Sequence, residues 1–125
     1  MLETVFRVEF GALPDDDEFQ LDRVTEELAD DLRSVGDVER VAVAPAPGAK
    51  GTLELALGSL SLLAGTDPSV VQAIVDLLVG FLNRNKGRTV RLRVADVDLT
   101  LEQATKAEAA EVIRIAQAAI ERLPR

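Results

Sequence analysis

Phe6, Val8 and Phe10 alternate with Arg7 and Glu9, a period of two that predicts a strand with one buried face. After the break at Ala12-Leu-Pro-Asp-Asp-Asp-Glu18 the period changes. Leu21, Val24, Leu28, Leu32 and Val35 recur at spacings of three and four, which predicts a helix with one apolar stripe. Gly36 stands where a C-terminal cap is expected. Val38, Val41 and Val43 predict a second strand, closed by Pro45 and Pro47, which cannot donate ladder hydrogen bonds. A strand-helix-strand unit of this length predicts a parallel pair with a right-handed crossover.

From Thr52 to Ala64 the composition reads as a helix weakened by Gly58, Ser59 and Ser61, with Gly65 at its end. The next helix has Asp67 as its cap and Pro68 in its first turn, and runs to about Asn85, ahead of Gly87. Val70, Val71, Ile74, Val75, Leu77, Leu78, Phe81 and Leu82 cover most of its circumference, leaving a polar strip at Gln72, Asp76 and Asn83. A helix apolar nearly all round must be covered on more than one side. Each large side chain left in water would forfeit about 1.5 to 3 kcal/mol. The cover is the domain's own sheet and preceding segment, a partner protein, or a bilayer. The bilayer fails, because Asp67, Pro68 and Asp76 interrupt the roughly 20 apolar residues it needs. Burial within the domain ranks first. A protein interface through Val71, Val75, Leu78 and Leu82 follows it.

Arg88 to Val94 and Val97 to Glu102 predict a hairpin around Ala95-Asp96. Pairing Val94 with Val97 sets Leu92 opposite Leu99 and Val90 opposite Leu101 on one face, and Arg93 opposite Asp98 on the other. Thr105-Lys-Ala-Glu108 is a capping box that opens a last helix, whose stripe is Ala109, Val112, Ala116, Ala119, Ile120 and Leu123. The expected fold is a single α+β domain over residues 1–125, ordered β-α-β-α-α-β-β-α. Its helices pack on a four-stranded mixed sheet with a C-terminal hairpin and helix.

Composition narrows function more than fold. The formal charge is −8, from 22 acidic and 14 basic residues, so nucleic acid and anionic membrane are repelled over most of the surface. Absence of Trp and Tyr leaves few platforms for stacking bases. The N-terminus lacks the basic head and apolar run of a signal peptide, and there is no Cys, which together suggest a cytoplasmic protein. With no His and no Cys, the commonest general base, the thiol nucleophile and the usual zinc ligands are all missing. A Ser-Lys pair, Ser59 or Ser61 with Lys50, has no supporting motif. No catalytic residue, cofactor or metal site is expected.

Two further segments invite a chemical reading. Gly48-Ala-Lys-Gly-Thr52 sits where a phosphate loop would, but its lysine precedes its glycine, and the glycine four residues ahead of Gly-Lys-Ser/Thr is lacking. A bend whose Pro45, Pro47 and Lys50 contact a partner is the better reading; the alternative is a small-molecule or nucleotide-binding domain using the Gly48–Thr52 elbow. The acidic residues Asp15, Asp16, Asp17 and Glu18, with the pairs Glu26/Asp30 and Glu27/Asp31, suit a helix dipole and a solvated face better than a divalent cation.

Taken in order, the short strand, the acidic helix, the elbow Val41-Ala-Val-Ala-Pro-Ala-Pro-Gly-Ala-Lys-Gly51 and the small-residue apolar helix expected after it form a familiar series. The long apolar helix ending in Asn83-Arg-Asn-Lys86 and the strand Thr89-Val-Arg-Leu-Arg-Val94 continue it. This series resembles the effector-associated constant component domain of bacterial conflict systems, over nearly the whole chain. The resemblance implies a non-enzymatic adaptor or accessory module, found in actinobacteria and similar organisms, that serves an effector protein encoded nearby; the expected contact, with that effector or with a second copy as a homo-oligomer, is through the apolar helix and the Pro/Gly elbow. Nucleic acid and membrane are not among the implied partners.

Overall fold

The alternation at Phe6, Val8 and Phe10 forms strand β1 (Glu3–Phe10), with all three side chains buried against helices. The computed structural model describes residues 3–11, 13–43 and 54–123. After β1 come α1 (Glu18–Leu32), β2 (Gly36–Val43), β3 (Glu54–Gly65), α2 (Pro68–Arg84), β4 (Val90–Val94), β5 (Val97–Leu101) and α3 (Lys106–Glu121). The class is α+β, with a five-stranded antiparallel sheet in the order β2-β3-β1-β4-β5.

Two expectations are corrected together. Residues 54–65 are a strand, not a helix, and the sheet is neither four-stranded nor mixed. The physical reason is visible along β3: Leu60, Leu62 and Ala64 are buried while Ser61 and Leu63 turn the other way, a period of two that a helix could not use. Gly58, Ser59 and Ser61 lower helix propensity further. β3 pairs antiparallel with both β1 and β2, so those two strands do run in the same direction, but β3 lies between them and they form no parallel pair.

Gly36 is also reassigned. α1 ends at Leu32 with Arg33 as its cap, and Gly36 opens β2. A Cβ there would lie 2.2 Å from the Leu63 carbonyl oxygen, so only glycine lets β2 approach β3 this closely. Asp67 holds the N-cap position of α2 without a side-chain capping bond, and Pro68 begins the helix as expected. The hairpin register holds at every pair, Val94 with Val97, Leu92 with Leu99, Val90 with Leu101 and Arg93 with Asp98. In α3, the Thr105 hydroxyl accepts from the Glu108 N–H, while the Glu108 carboxylate reaches beyond the cap to the N–H groups of Glu102 and Gln103.

One core joins the inner sheet residues to all three helices. α2 lies between α1 and α3, with Phe81 against Phe10 of β1 at a ring separation of 5.4 Å. Its nearly continuous apolar surface therefore has three covers, the sheet and two helices, and Gln72, Asp76 and Asn83 face solvent. Among the described residues no helix is long and apolar enough to cross a membrane.

Candidate functional site

Among the described residues the helices pack on one side of the sheet only, so alternate residues of each strand face away from them, Ser59 buried and the others half-buried or exposed. Cross-strand pairing arranges these residues in rows. One row runs Asp37 on β2, Leu63 on β3, Val5 on β1. The next runs Glu39, Ser61, Arg7, Arg93 and Asp98 from β2 across to β5. A third sets Ser59, Glu9, Arg91 and Thr100 side by side.

Asp37 and Glu39 stand at the β2 edge, Leu63 and Val5 over the β3–β1 seam, and Arg7, Arg91 and Arg93 over β1 and β4, with the carboxylates of Glu9 on β1 and Asp98 on β5 among them. Val5 is 51% exposed and Leu63 38%, and they are directly paired. With Phe19 at the start of α1 they are the large exposed apolar side chains of the described residues. Phe19 is isolated, and single exposed apolar residues are ordinary. The paired Val5 and Leu63 instead form a contiguous patch and line a shared depression with Arg33, Asp37, Glu39 and Ser61.

Electrostatics on this face is unevenly satisfied. Asp98 is shared: Arg91 reaches it through Nη2 at 2.6 Å, and Arg93 through Nε at 3.3 Å. The Arg91 hydrogen bond is the main reason its carboxyl sits below the usual range. The same contact raises the Arg91 guanidinium. Arg7 and Arg93 are directly opposed like charges. Arg7, Asp37 and Glu39 make no ion pair among the described residues.

The opposite side of the molecule uses its charges structurally. Arg88 and Asp16, with side chains 2% exposed, form a bidentate pair with both contacts at 2.7 Å. Arg88 also donates to the Gly11 carbonyl and stacks 5.3 Å from the Phe10 ring centre, while Asp16 accepts the Leu13 N–H. Those donors, Arg88 first, hold the Asp16 carboxyl below its ordinary value. The three successive aspartates thus divide their work: Asp16 anchors the loop, Asp17 caps α1 by accepting from Gln20 N–H, and Asp15 is exposed. Nothing in the sequence distinguishes Asp16 or pairs it with a residue 72 positions away.

The acidic face of α1 is likewise held by arginines rather than gathered round a cation site. Arg33 binds Glu26 and Asp30; Arg84 of α2 binds Glu27 and Asp31. Among the described residues no group of three potential metal ligands comes together.

Val71, Val75, Leu78 and Leu82, the expected partner contacts on α2, are all in the domain's own core, at most 5% exposed. They offer no surface to a partner while the domain is folded. Pro45, Pro47 and Lys50, together with the Gly48–Thr52 elbow, lie outside the described residues. The uncovered sheet face was not apparent in the sequence, because without β3 as a strand neither its rows nor their neighbours can be written down. The alternation of Ser59, Ser61 and Leu63 against Leu60, Leu62 and Ala64 was the signal that could have revealed it.

Compared with protein-family models, curated proteins and solved structures, the chain finds no match.

Proposed function

We propose that the chain is a non-enzymatic accessory module of the cytoplasm that acts by docking on another polypeptide, with the open sheet face as its docking surface. The observation that carries this reading is the directly paired, exposed Val5 and Leu63 on a sheet face that no helix of the described residues covers. The charged rows beside that pair, with Glu39, Arg7 and Arg93 in the nearer one, supply the polar rim of a protein interface. The resemblance to the effector-associated constant component family supports an effector protein, encoded nearby, as the client of the module. A helical docking site on α2 is set aside, since its apolar residues are spent on the core.

The test is co-purification and titration with the product of the adjacent gene. Val5→Asp and Leu63→Asp are expected to weaken capture at least tenfold, whereas Asp76→Lys, on the exposed strip of α2, leaves it unchanged. Undiminished capture by folded Val5→Asp and Leu63→Asp would remove the sheet face from the interaction.

A further inference from the structure

The open face is complementary to itself. In the order β2-β3-β1-β4, the midline is the seam between β3 and β1, where Leu63 and Val5 stand. Consider a two-fold axis parallel to the strands above this seam. It turns a second copy over so that β4 faces β2, and β1 faces β3. Val5 then meets the second copy's Leu63 and, by symmetry, Leu63 meets Val5. In the next row Arg93 meets Glu39, Glu39 meets Arg93, and Arg7 meets Ser61. Facing sheets packed this way lie about 10 Å apart, with strands within about 30° of alignment, a spacing that these side chains span.

The charges require such an arrangement to be local. A chain of net charge −8 repels its own copy over most of its surface. On this face a two-fold rotation about the strand direction brings Arg93 onto Glu39 at both symmetric contacts and sets Glu9 of β1 opposite Ser59 rather than another carboxylate. Arg93 gives only its Nε to Asp98, leaving its outer N–H groups for another carboxylate. Glu39 has no ion pair of its own among the described residues.

We infer that a second copy of this chain occupies the open sheet face, forming an isologous two-fold dimer, an inference that rests on the docking reading above and names its partner. An effector that docks on the open face then competes with the second copy for it.

Sedimentation equilibrium from about 1 µM to about 1 mM tests this with charge exchange, circular dichroism confirming that each variant is folded. Glu39→Arg alone and Arg93→Glu alone each place like charges at both symmetric contacts, and each is expected to lose self-association at least tenfold. An equimolar mixture of the two single variants restores attraction at both contacts, so it is expected to form a heterodimer. The double variant Glu39→Arg/Arg93→Glu is expected to associate as the wild type does. The inference is overturned by a wild type that stays monomeric throughout, by single variants that associate normally, or by a mixture that stays monomeric. A monomeric wild type whose effector capture is still lost in Leu63→Asp would leave the docking reading standing and remove only the second copy. Loss of neither would remove both.

Discussion

The two faces of this sheet are made from alternate residues of the same strands, yet they are different materials. On the covered face, Phe6, Val8, Leu60, Leu62, Val90, Leu92 and Val94 are uniformly apolar and at most 1% exposed. On the open face the rows mix carboxylates, serines, an apolar pair and guanidinium groups. Uniformity suits a core, where close packing is what stabilises. A mixed set of exposed charges contributes little to stability in water, but it sets which surfaces fit and in which orientation. The difference teaches that the core and the chemistry of the open surface are encoded one residue apart along each strand.

The comparison breaks most readily at Leu62 and Leu63. Leu62→Ala leaves a cavity between sheet and helices and is expected to cost about 2 to 5 kcal/mol in urea unfolding. Leu63→Ala, on the partly exposed face, is expected to stay within about 1 kcal/mol of wild type. Equal losses at the two positions would mean that the open face is structural too.

A second pair of variants asks the same question of charge. Arg88→Ala strands Asp16 in a buried site, and its melting temperature is expected to fall by about 10 °C. Asp98→Asn, among exposed arginines, is expected to change it by less than about 3 °C. The two sites also differ in acid. The Asp16 pKa is depressed by Arg88 and by the Leu13 N–H, so the pair stabilises fully above the ordinary carboxylate value, about 3.9. That stabilisation is lost as pH falls through the lower folded-state value. The gap between wild type and Arg88→Ala should therefore be widest near neutral pH and close below about pH 4, as followed by urea unfolding across pH.

Gly36 tests the boundary between the faces, since its backbone brings β2 against β3. Gly36→Ala is expected to cost about 1 to 3 kcal/mol, because the added Cβ meets the Leu63 carbonyl and the strands must separate. Thermal unfolding reads this directly, and an unchanged melting temperature would contradict the close approach.

How much of this was legible in the sequence follows from how local each signal is. The hairpin could be written down residue by residue, because apolar pairs agree on one face and Arg93 with Asp98 on the other. The enclosure of α2 could also be read, since a helix apolar all round has few alternatives, although which elements enclose it could not. β3 was misread because its outward positions hold Ser59, Ser61 and Leu63, small or apolar residues that blur the contrast marking a half-exposed strand. That one misreading hid the open face, for a surface made of rows exists only when neighbouring strands are known. Arg88 with Asp16 depends on two loops meeting in three dimensions, and no periodicity reports such a meeting.

The most direct measurement is sedimentation velocity on the Leu63→Asp protein beside wild type, with its melting curve in parallel. The account predicts that Leu63→Asp folds, melting within about 5 °C of wild type, and sediments as a monomer at concentrations where wild type forms dimers. A folded Leu63→Asp protein that still dimerises as wild type does would contradict it.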